Sequence, residues 1–473
     1  MPKRFITLPT ASPPQAGGEI RLRCPACGET SSMTELATQA MVCGWCDFHF
    51  PLEAGPHLEL LVDEGSFRPL DSSAGPARLG WATIAGRPLA IAVSDPVSRW
   101  EANEITALAD LAEKARREQR PLLWVVTAAQ GVAATRHWPG LQIALDSGGK
   151  VGMEHGRSTP LPRITLLSGP VYGPVAALAI QSDLVLAEPG AVIAPVLPEV
   201  LRQAGRLPIE STRLPRQLLR EGWADAVLPR RIQHAALSDL LDLLGVTGQG
   251  ALTLPVPAVP ERMPAPFHNL FTSFRELTGD RQSADDPALI GGLARLKPDG
   301  VPLLVLATAC GEGKTKARRH AGAIGAAGWR KATRLLRLAG RFGLPVVLLV
   351  DEPTLQIGRR RDPSEVTATL GETVHTLLNL SVPTVTVCIA ASDDLAAWIL
   401  SATDCLLVQD DLAPKLQESG FPVSETFAHD LDVQLSRVVQ ELEQNYLQHG
   451  PLGRRALSQQ RYIRWARLQP SSG

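Results

Sequence analysis

Two Cys-x-x-Cys pairs near the start of the chain, Cys24-Pro-Ala-Cys27 and Cys43-Gly-Trp-Cys46, constrain its fold more than any other feature. Fifteen residues separate the pairs. Each turn aims two sulfurs at one point, and a short hairpin brings the second pair round to complete a tetrahedron, the spacing of a structural Zn²⁺ site. Two redox pairs are the competing reading of the same residues. Four of the seven cysteines fall inside 23 residues, which favours the metal. His49 and His57 stand close by, but four thiolates already fill a zinc shell. Cys310, Cys388 and Cys405 lie singly in apolar surroundings and read as buried thiols.

The 473 residues are enough for about three domains, each able to bury its own core. With a formal net charge of −1, the chain gives no electrostatic reason to expect nucleic acid as its main partner. No apolar run approaches the roughly 18 to 20 residues of a membrane helix, and the N-terminus lacks a signal-peptide core. The expected compartment is the cytoplasm, with no membrane partner.

Composition divides the chain into a Pro/Gly/Ala-rich leader (1–20), the ribbon (21–52), a first half (53–246), a linker (247–266), a second half (267–450) and a C-terminal tail (451–473). Five prolines and little periodicity mark the linker as semi-rigid. The halves resemble each other. Each opens on a hairpin-like pair, from Gly80 and from Gly292, and each has a strand-like run after a proline, from Leu122 and from Val346. In each, a proline precedes an aspartate by 21 residues, Pro162 to Asp183 and Pro383 to Asp404. Strands alternating with amphipathic helices, such as 103–118 and 330–342, predict α/β layers, and a repeat this long predicts two tandem domains of one fold.

The segment after the ribbon, LELLVDEGSFRPLD (58–71), together with DLVLAEPGAVIA (183–194) and GWADAVLPRR (222–231), resembles the β subunit of bacterial acetyl-CoA carboxylase carboxyltransferase. Beyond the linker, FTSFRELTGDRQSADDPALIGGLARL (271–296) and GWRKATRLLRLAGRFGLPVV (328–347) resemble its α subunit. The resemblance covers about 21–440 in β-then-α order and implies a fused carboxyltransferase with two crotonase-like domains. In that family an active cleft forms between a β-type and an α-type domain. The enolate of an acyl thioester there takes the carboxyl group from biotin, and backbone N–H groups of glycine-rich turns stabilise the oxyanions. By resemblance the substrate is a thioester of CoA or of an acyl carrier protein, in fatty-acid or polyketide-type metabolism. The partners are separate biotin carrier and biotin carboxylase subunits, and a homodimer is expected. The chain has no Met-Lys-Met for covalent biotin.

The glycine turns depart from the family pattern. In the first half, Gly131 and Val132 stand where the family has a glycine pair, and Gly173 is followed by Pro174, which has no N–H. In the second half, 390–397 reads Ala-Ala-Ser-Asp-Asp-Leu-Ala-Ala, with Asp393 and Asp394 where an oxyanion would develop, and Asp351-Glu352-Pro353-Thr354 replaces a glycine-bearing loop. Gly131, Val132 and Gly173 are therefore the candidate oxyanion donors. Arg330 and Lys331 are candidates for a CoA phosphate or a biotin-side carboxylate, or else they cap a solvated helix face. His137 and His155 are lone histidines, and Gly311–Thr315 lacks the first glycine of a phosphate loop, since position 308 is threonine. Three readings stay open: a carboxyltransferase, an impaired pseudoenzyme kept for assembly or regulation, and a malonyl-thioester decarboxylase that uses only the β-side oxyanion hole.

Overall fold

The computed structural model describes residues 20–466 except positions 71–74, 97–99, 129–138, 146–159, 198–199, 201–216, 249–258, 262, 283, 309–323, 352–362, 391–401 and 419. The chain begins with a small module in which β1 (Arg21–Arg23) pairs antiparallel with β2 (Thr30–Ser32), followed by a helix, Met33–Thr38. Ser32 starts that helix, its hydroxyl accepting the Glu35 N–H at 3.1 Å. The module buries few apolar side chains, chiefly Cys24, Leu36, Cys43 and Phe50.

Two larger sheets follow. The first contains β3 (Arg68–Pro69), β4 (Arg78–Ile84), β5 (Arg87–Val93), β6 (Leu122–Ala128), β7 (Arg163–Tyr172), β8 (Leu184–Ala187), β9 (Val192–Ala194) and β10 (Ala226–Val227). The second contains β11 (Phe271–Glu276), β12 (Leu289–Leu296), β13 (Val301–Thr308), β14 (Val346–Asp351), β15 (Thr384–Ala390), β16 (Cys405–Gln409) and β17 (Glu425–Phe427). Their strand orders are β10-β8-β7-β6-β5-β4-β3 and β17-β16-β15-β14-β13-β12-β11, with β9 an extra partner of β7. In both, the first three strands in sequence pair antiparallel and every later pairing is parallel. The expected hairpins are β4–β5 and β12–β13.

The correspondence reaches individual hydrogen bonds. Asp183 Oδ2 accepts the N–H of Arg163, the residue after Pro162, at 2.8 Å, and Asp404 Oδ2 accepts the N–H of Thr384, after Pro383, at 2.8 Å. The hydroxyls of Thr165 and Ser182 pair at 2.7 Å, as those of Thr386 and Thr403 do at 3.0 Å. The 21-residue interval seen in the sequence is thus the distance along the chain from the start of one parallel strand to the aspartate that pins it.

Side chains alternate across these strands because successive Cβ atoms point to opposite faces. In β6, Leu123 and Val125 join a large inner core, while Trp124 and Val126 face an outer one with helix Ala102–Arg117. In β14, Val346 and Leu348 face the same inner core, while Val347 and Leu349 face a third core beneath the C-terminal helix. Helices Ala54–Leu61, Gln233–Leu243 and Ala326–Phe342 lie in the shared inner layer, so the two sheets bury one apolar surface together. Helix Ala326–Phe342 presents Leu335, Leu336, Leu338 and Ala339 to this layer and stops at Gly343, whose φ of +70° suits a residue without a Cβ.

Two stretches differ from the sequence reading. The C-terminal helix runs from Leu431 to Ala466, past the point where a tail was expected, and Arg461 within it is fully buried. The far end of the expected linker is packed, with Met263 buried and Pro264 leading into a short 3₁₀ helix that buries Phe267. Among the described residues no helix is long and apolar enough to cross a membrane.

Candidate functional site

The two cysteine turns are built alike. The Cys24 carbonyl accepts the Gly28 N–H at 2.9 Å and the Cys24 N–H donates to the Glu29 carbonyl at 2.7 Å. Likewise the Cys43 carbonyl accepts the Asp47 N–H at 3.0 Å and the Cys43 N–H donates to the Phe48 carbonyl at 2.8 Å. Both turns place their fifth residue in the left-handed region, Gly28 at φ +82° and Asp47 at φ +56°. Asp tolerates that region better than most residues with a side chain. Cys24 and Cys46 Sγ lie 3.6 Å apart, Cys27 and Cys43 Sγ 3.8 Å, and all four sulfurs are within 4.8 Å of one another. A tetrahedron with metal–sulfur bonds of about 2.3 Å has edges of about 3.8 Å. The four thiols therefore fit one metal ion, and neither pair has closed into a disulfide.

The module is fixed to the first sheet through a buried cluster. Glu188, just past β8, receives Nε and Nη2 of Arg230 at 2.8 and 2.7 Å and Nε2 of Gln233 at 2.9 Å. His57 and His49 each approach its carboxylate to 3.4 Å. Arg230 Nη1 reaches out to the ribbon, donating to the carbonyls of Ala40 at 3.0 Å and Phe50 at 2.8 Å. Burial alone would raise the Glu188 pKa, but the adjacent His49 and His57 and the Arg230 guanidinium bring it down to about 2. Burial pushes the His57 imidazole below its usual range. His49 and His57 thus serve the attachment and are not metal ligands in this arrangement. Glu188 and Arg230 lie inside the blocks that resemble the β subunit, and no motif in the sequence assigns them a role. The available signal was a charge directly after an apolar run, Glu188 after Leu184–Ala187 and Arg230 after Ala226–Pro229.

Polar clamps hold the carboxyl ends of the central strands, where the cleft of an open parallel sheet lies. The Thr127 N–H donates to Ser94 Oγ at 2.7 Å, and Trp100 Nε1 donates to the Thr127 carbonyl at 2.9 Å. In the second sheet, Thr308 Oγ1 donates to the Asp351 carbonyl at 3.0 Å and accepts the Asp351 N–H at 2.8 Å. Gly173 follows β7 with φ +71° and precedes the short helix Pro174–Ala179. Its N–H donates to the Ala194 carbonyl at 3.1 Å, in the pairing of β7 with β9. The candidate donor at Gly173 is thus engaged within the sheet, and Pro174 supplies none. Gly131, Val132, Asp393, Asp394, His137, His155 and the 311–315 segment lie outside the described residues.

Arg330 and Lys331 are held at the junction of the halves. Arg330 Nε donates to Asp280 Oδ2 at 2.9 Å and its Nη1 to Glu365 at 2.5 Å. Lys331 is fully buried, donating to Asp285 Oδ1 at 2.8 Å and the Leu289 carbonyl at 3.0 Å. Lys331 is therefore no part of a solvated helix face, and neither cation is arranged as a surface cap.

Comparison with known proteins accounts for both halves at once. A family model described as acetyl co-enzyme A carboxylase carboxyltransferase-like matches residues 261–410. The chain is 33% identical over 469 residues to the acetyl-coenzyme A carboxylase carboxyl transferase subunits beta/alpha of Salinispora arenicola, covering 85% of this chain and 80% of that one. It is 32% identical over 460 residues to the same protein of Salinispora tropica, covering 83% and 80%. The solved structure of transcarboxylase 12S, described with methylmalonyl-coenzyme A and methylmalonic acid bound, superposes with a TM-score of 0.65 at 16% identity, over 83% of this chain and 90% of that one. A single-chain, multi-domain long-chain acyl-CoA carboxylase superposes with a TM-score of 0.59 at 19% identity, over 89% of this chain and 47% of that one. The solved structures establish a carboxyltransferase, crotonase-like fold, and with fused relatives at 33% and 32% identity over most of its length, the chain belongs to the acetyl-coenzyme A carboxylase carboxyl transferase beta/alpha family.

Proposed function

We propose that the chain is a carboxyltransferase-like protein of acyl-thioester metabolism, with a Zn²⁺-pinned ribbon followed by two tandem crotonase-like domains. Its ligand class is an acetyl- or malonyl-type thioester of CoA or of an acyl carrier protein. The observation that carries this reading is the strand-for-strand equivalence of the two sheets within one chain. It supplies a β-type and an α-type wall from a single gene product, and two copies would make two complete clefts. Carboxyl transfer on this scaffold requires a biotin carrier and a biotin carboxylase as separate partners, since this chain has no Met-Lys-Met. The cytoplasm is the compartment where these partners and thioesters meet.

A second reading is favoured by Gly173. With its N–H engaged by Ala194 and Pro174 beside it, oxyanion stabilisation in the first half falls to Gly131, Val132 and their neighbours. Loss of one such donor typically lowers a rate about 10²–10³-fold. A pseudoenzyme kept for assembly or regulation then binds thioester or partner without turnover. Decarboxylation of a malonyl thioester draws on the same first-half donors and gains nothing from Gly173.

One experiment separates these. Purified protein is incubated with malonyl-CoA, with and without free biotin, and acetyl-CoA is followed by chromatography. Acetyl-CoA formed only with biotin supports carboxyl transfer. Formation without biotin supports decarboxylation. Malonyl-CoA binding with no product supports the pseudoenzyme, and absence of CoA binding defeats both enzymatic readings.

A further inference from the structure

The internal repeat exposes a site at the opposite edge of the first sheet, away from the strand ends just described. In the second half, the aspartate that pins β15 is covered by Arg461 of the C-terminal helix. Its Nε and Nη2 each lie 2.7 Å from the Asp404 carboxylate, and its other donors reach the carbonyls of Leu377, Leu380 and Val382. Arg461 is fully buried and the place is filled. In the first half the equivalent aspartate is Asp183, and the arginine facing it is Arg341, from the end of helix Ala326–Phe342. The contacts correspond, but they are slack. Arg341 Nη1 is 3.3 Å from Asp183, and Nη2 is 3.4 Å from the carbonyl of Leu161, which precedes Pro162 as Val382 precedes Pro383. Arg341 Nε is buried with no acceptor among the described residues.

Beside Arg341 opens a cavity of about 230 Å³. Ala112, Ala115 and Leu122 are among its apolar lining residues, and Arg116, Arg120, Arg163 and Arg341 line it as well. Nearby carboxylates pair only part of this charge. Glu113 takes Nε and Nη2 of Arg116 at 2.9 and 2.7 Å, and among the described residues Nη1 has no hydrogen-bond acceptor. Glu118 Oε2 lies 3.3 Å from Arg120 Nε, while the Arg120 guanidinium lies over the Trp81 ring at 5.0 Å. Arg163 uses Nη1 and Nη2 on the carbonyls of Leu145 and Gln181. Among the described residues, Arg116, Arg120 and Arg341 thus bring guanidinium groups to one cavity, where the buried Nε of Arg341 has no acceptor. Guanidinium forks of this kind match the oxygens of phosphate and carboxylate groups, and of the two a phosphate uses more donors at once.

We propose that this cavity binds a small phosphate ester, the phosphate held by Arg116, Arg120 and Arg341 and its organic part lying on the alanine and leucine lining. Because Arg341 comes from the second half and the rest from the first, the ligand bridges the two.

The test uses the full chain with phenyl phosphate and inorganic pyrophosphate as probes, followed by isothermal titration calorimetry. The expected result is saturable binding of one equivalent with Kd of about 1 mM or tighter, weakened at least about tenfold in Arg120→Gln and in Arg116→Gln. Both residues lie on the outer rim, so each variant keeps the melting temperature of the parent, and a variant that does not is replaced by the other. Pyrophosphate binding with no response to phenyl phosphate defeats the apolar-lining part of the assignment. No saturable binding, or affinity unchanged in both variants, overturns the site. None of these residues is among the candidate oxyanion donors, so failure of this test and failure of the carboxyltransferase assay are distinguishable.

Discussion

Glu188 shows at the scale of one residue how a charge is kept inside a protein. Its carboxylate is nearly inaccessible, yet Arg230, Gln233, His49 and His57 surround it. Replacing one partner of such a pair leaves the other as an uncompensated buried charge. Glu188→Ala is therefore expected to cost about 3–5 kcal/mol, measured by urea denaturation of the parent and variant proteins. The same cluster sets an acid dependence. His57 has a lowered pKa in the folded state, so the unfolded chain takes up a proton first as pH falls below about 6.5. Glu188 is held at about 2 when folded, against about 4.3 when unfolded. Its contribution is present above the unfolded value and is lost as pH falls from there towards 2. Urea midpoints are thus expected to decline in two stages on acidification, and Glu188→Gln is expected to flatten the second. A second stage undiminished in Glu188→Gln would place the acid sensitivity elsewhere.

At the scale of the element, the ribbon cannot hold itself by apolar burial. A buried Leu- or Phe-sized side chain contributes about 1.5–3 kcal/mol, and the module has few of them. A metal ion held by the four thiols would supply the difference, so chelation is expected to unfold residues 21–52 while the sheets stay intact. Hydrogen exchange read by mass spectrometry checks this, together with one zinc per chain in the untreated protein by elemental analysis. Loss of protection throughout the sheets on chelation would contradict the separation. A different constraint acts at Gly222, where φ is +73° and a Cβ would come 2.4 Å from the Ala284 carbonyl oxygen. Gly222→Ala combines strain with a backbone clash and is expected to cost more than about 1 kcal/mol in thermal unfolding. The cysteine spacing, the hairpins and the helices were legible in the sequence because each rests on local periodicity or turn chemistry. The reach of the last helix was missed, because the anchor that holds its end, Arg461, lies far along the chain from its partner Asp404.

At the scale of the whole molecule, the halves are stitched by ion pairs as well as by the shared inner core. Asp225, from the first half, is fully buried and meets Arg281 at 2.5 Å and Arg334 at 2.8 Å, both from the second. Arg281 also donates to the carbonyl of Ile180, at 2.7 Å, and burial lowers its pKa to about 10. Asp225→Asn leaves two guanidiniums facing a neutral group. It is expected to lower stability by about 3–5 kcal/mol and to split a single unfolding transition into two as the halves uncouple. Differential scanning calorimetry reports both, and a single unshifted transition would show that the apolar layer alone joins them.

The sequence by itself determined the four-cysteine module, the two-fold repeat and the α/β character of each half. Those follow from spacing and alternation, which are written in consecutive residues. It also pointed to the turns at 131–132 and 173 as the places where oxyanion chemistry would stand or fall. Only the tertiary structure decided that the Gly173 N–H is engaged by Ala194, that Lys331 is buried on Asp285, and that Glu188 and Arg230 carry the ribbon. The reason is common to all three. A hydrogen-bond partner many residues away is chosen by how strands and helices pack, and no local pattern in the chain encodes that choice.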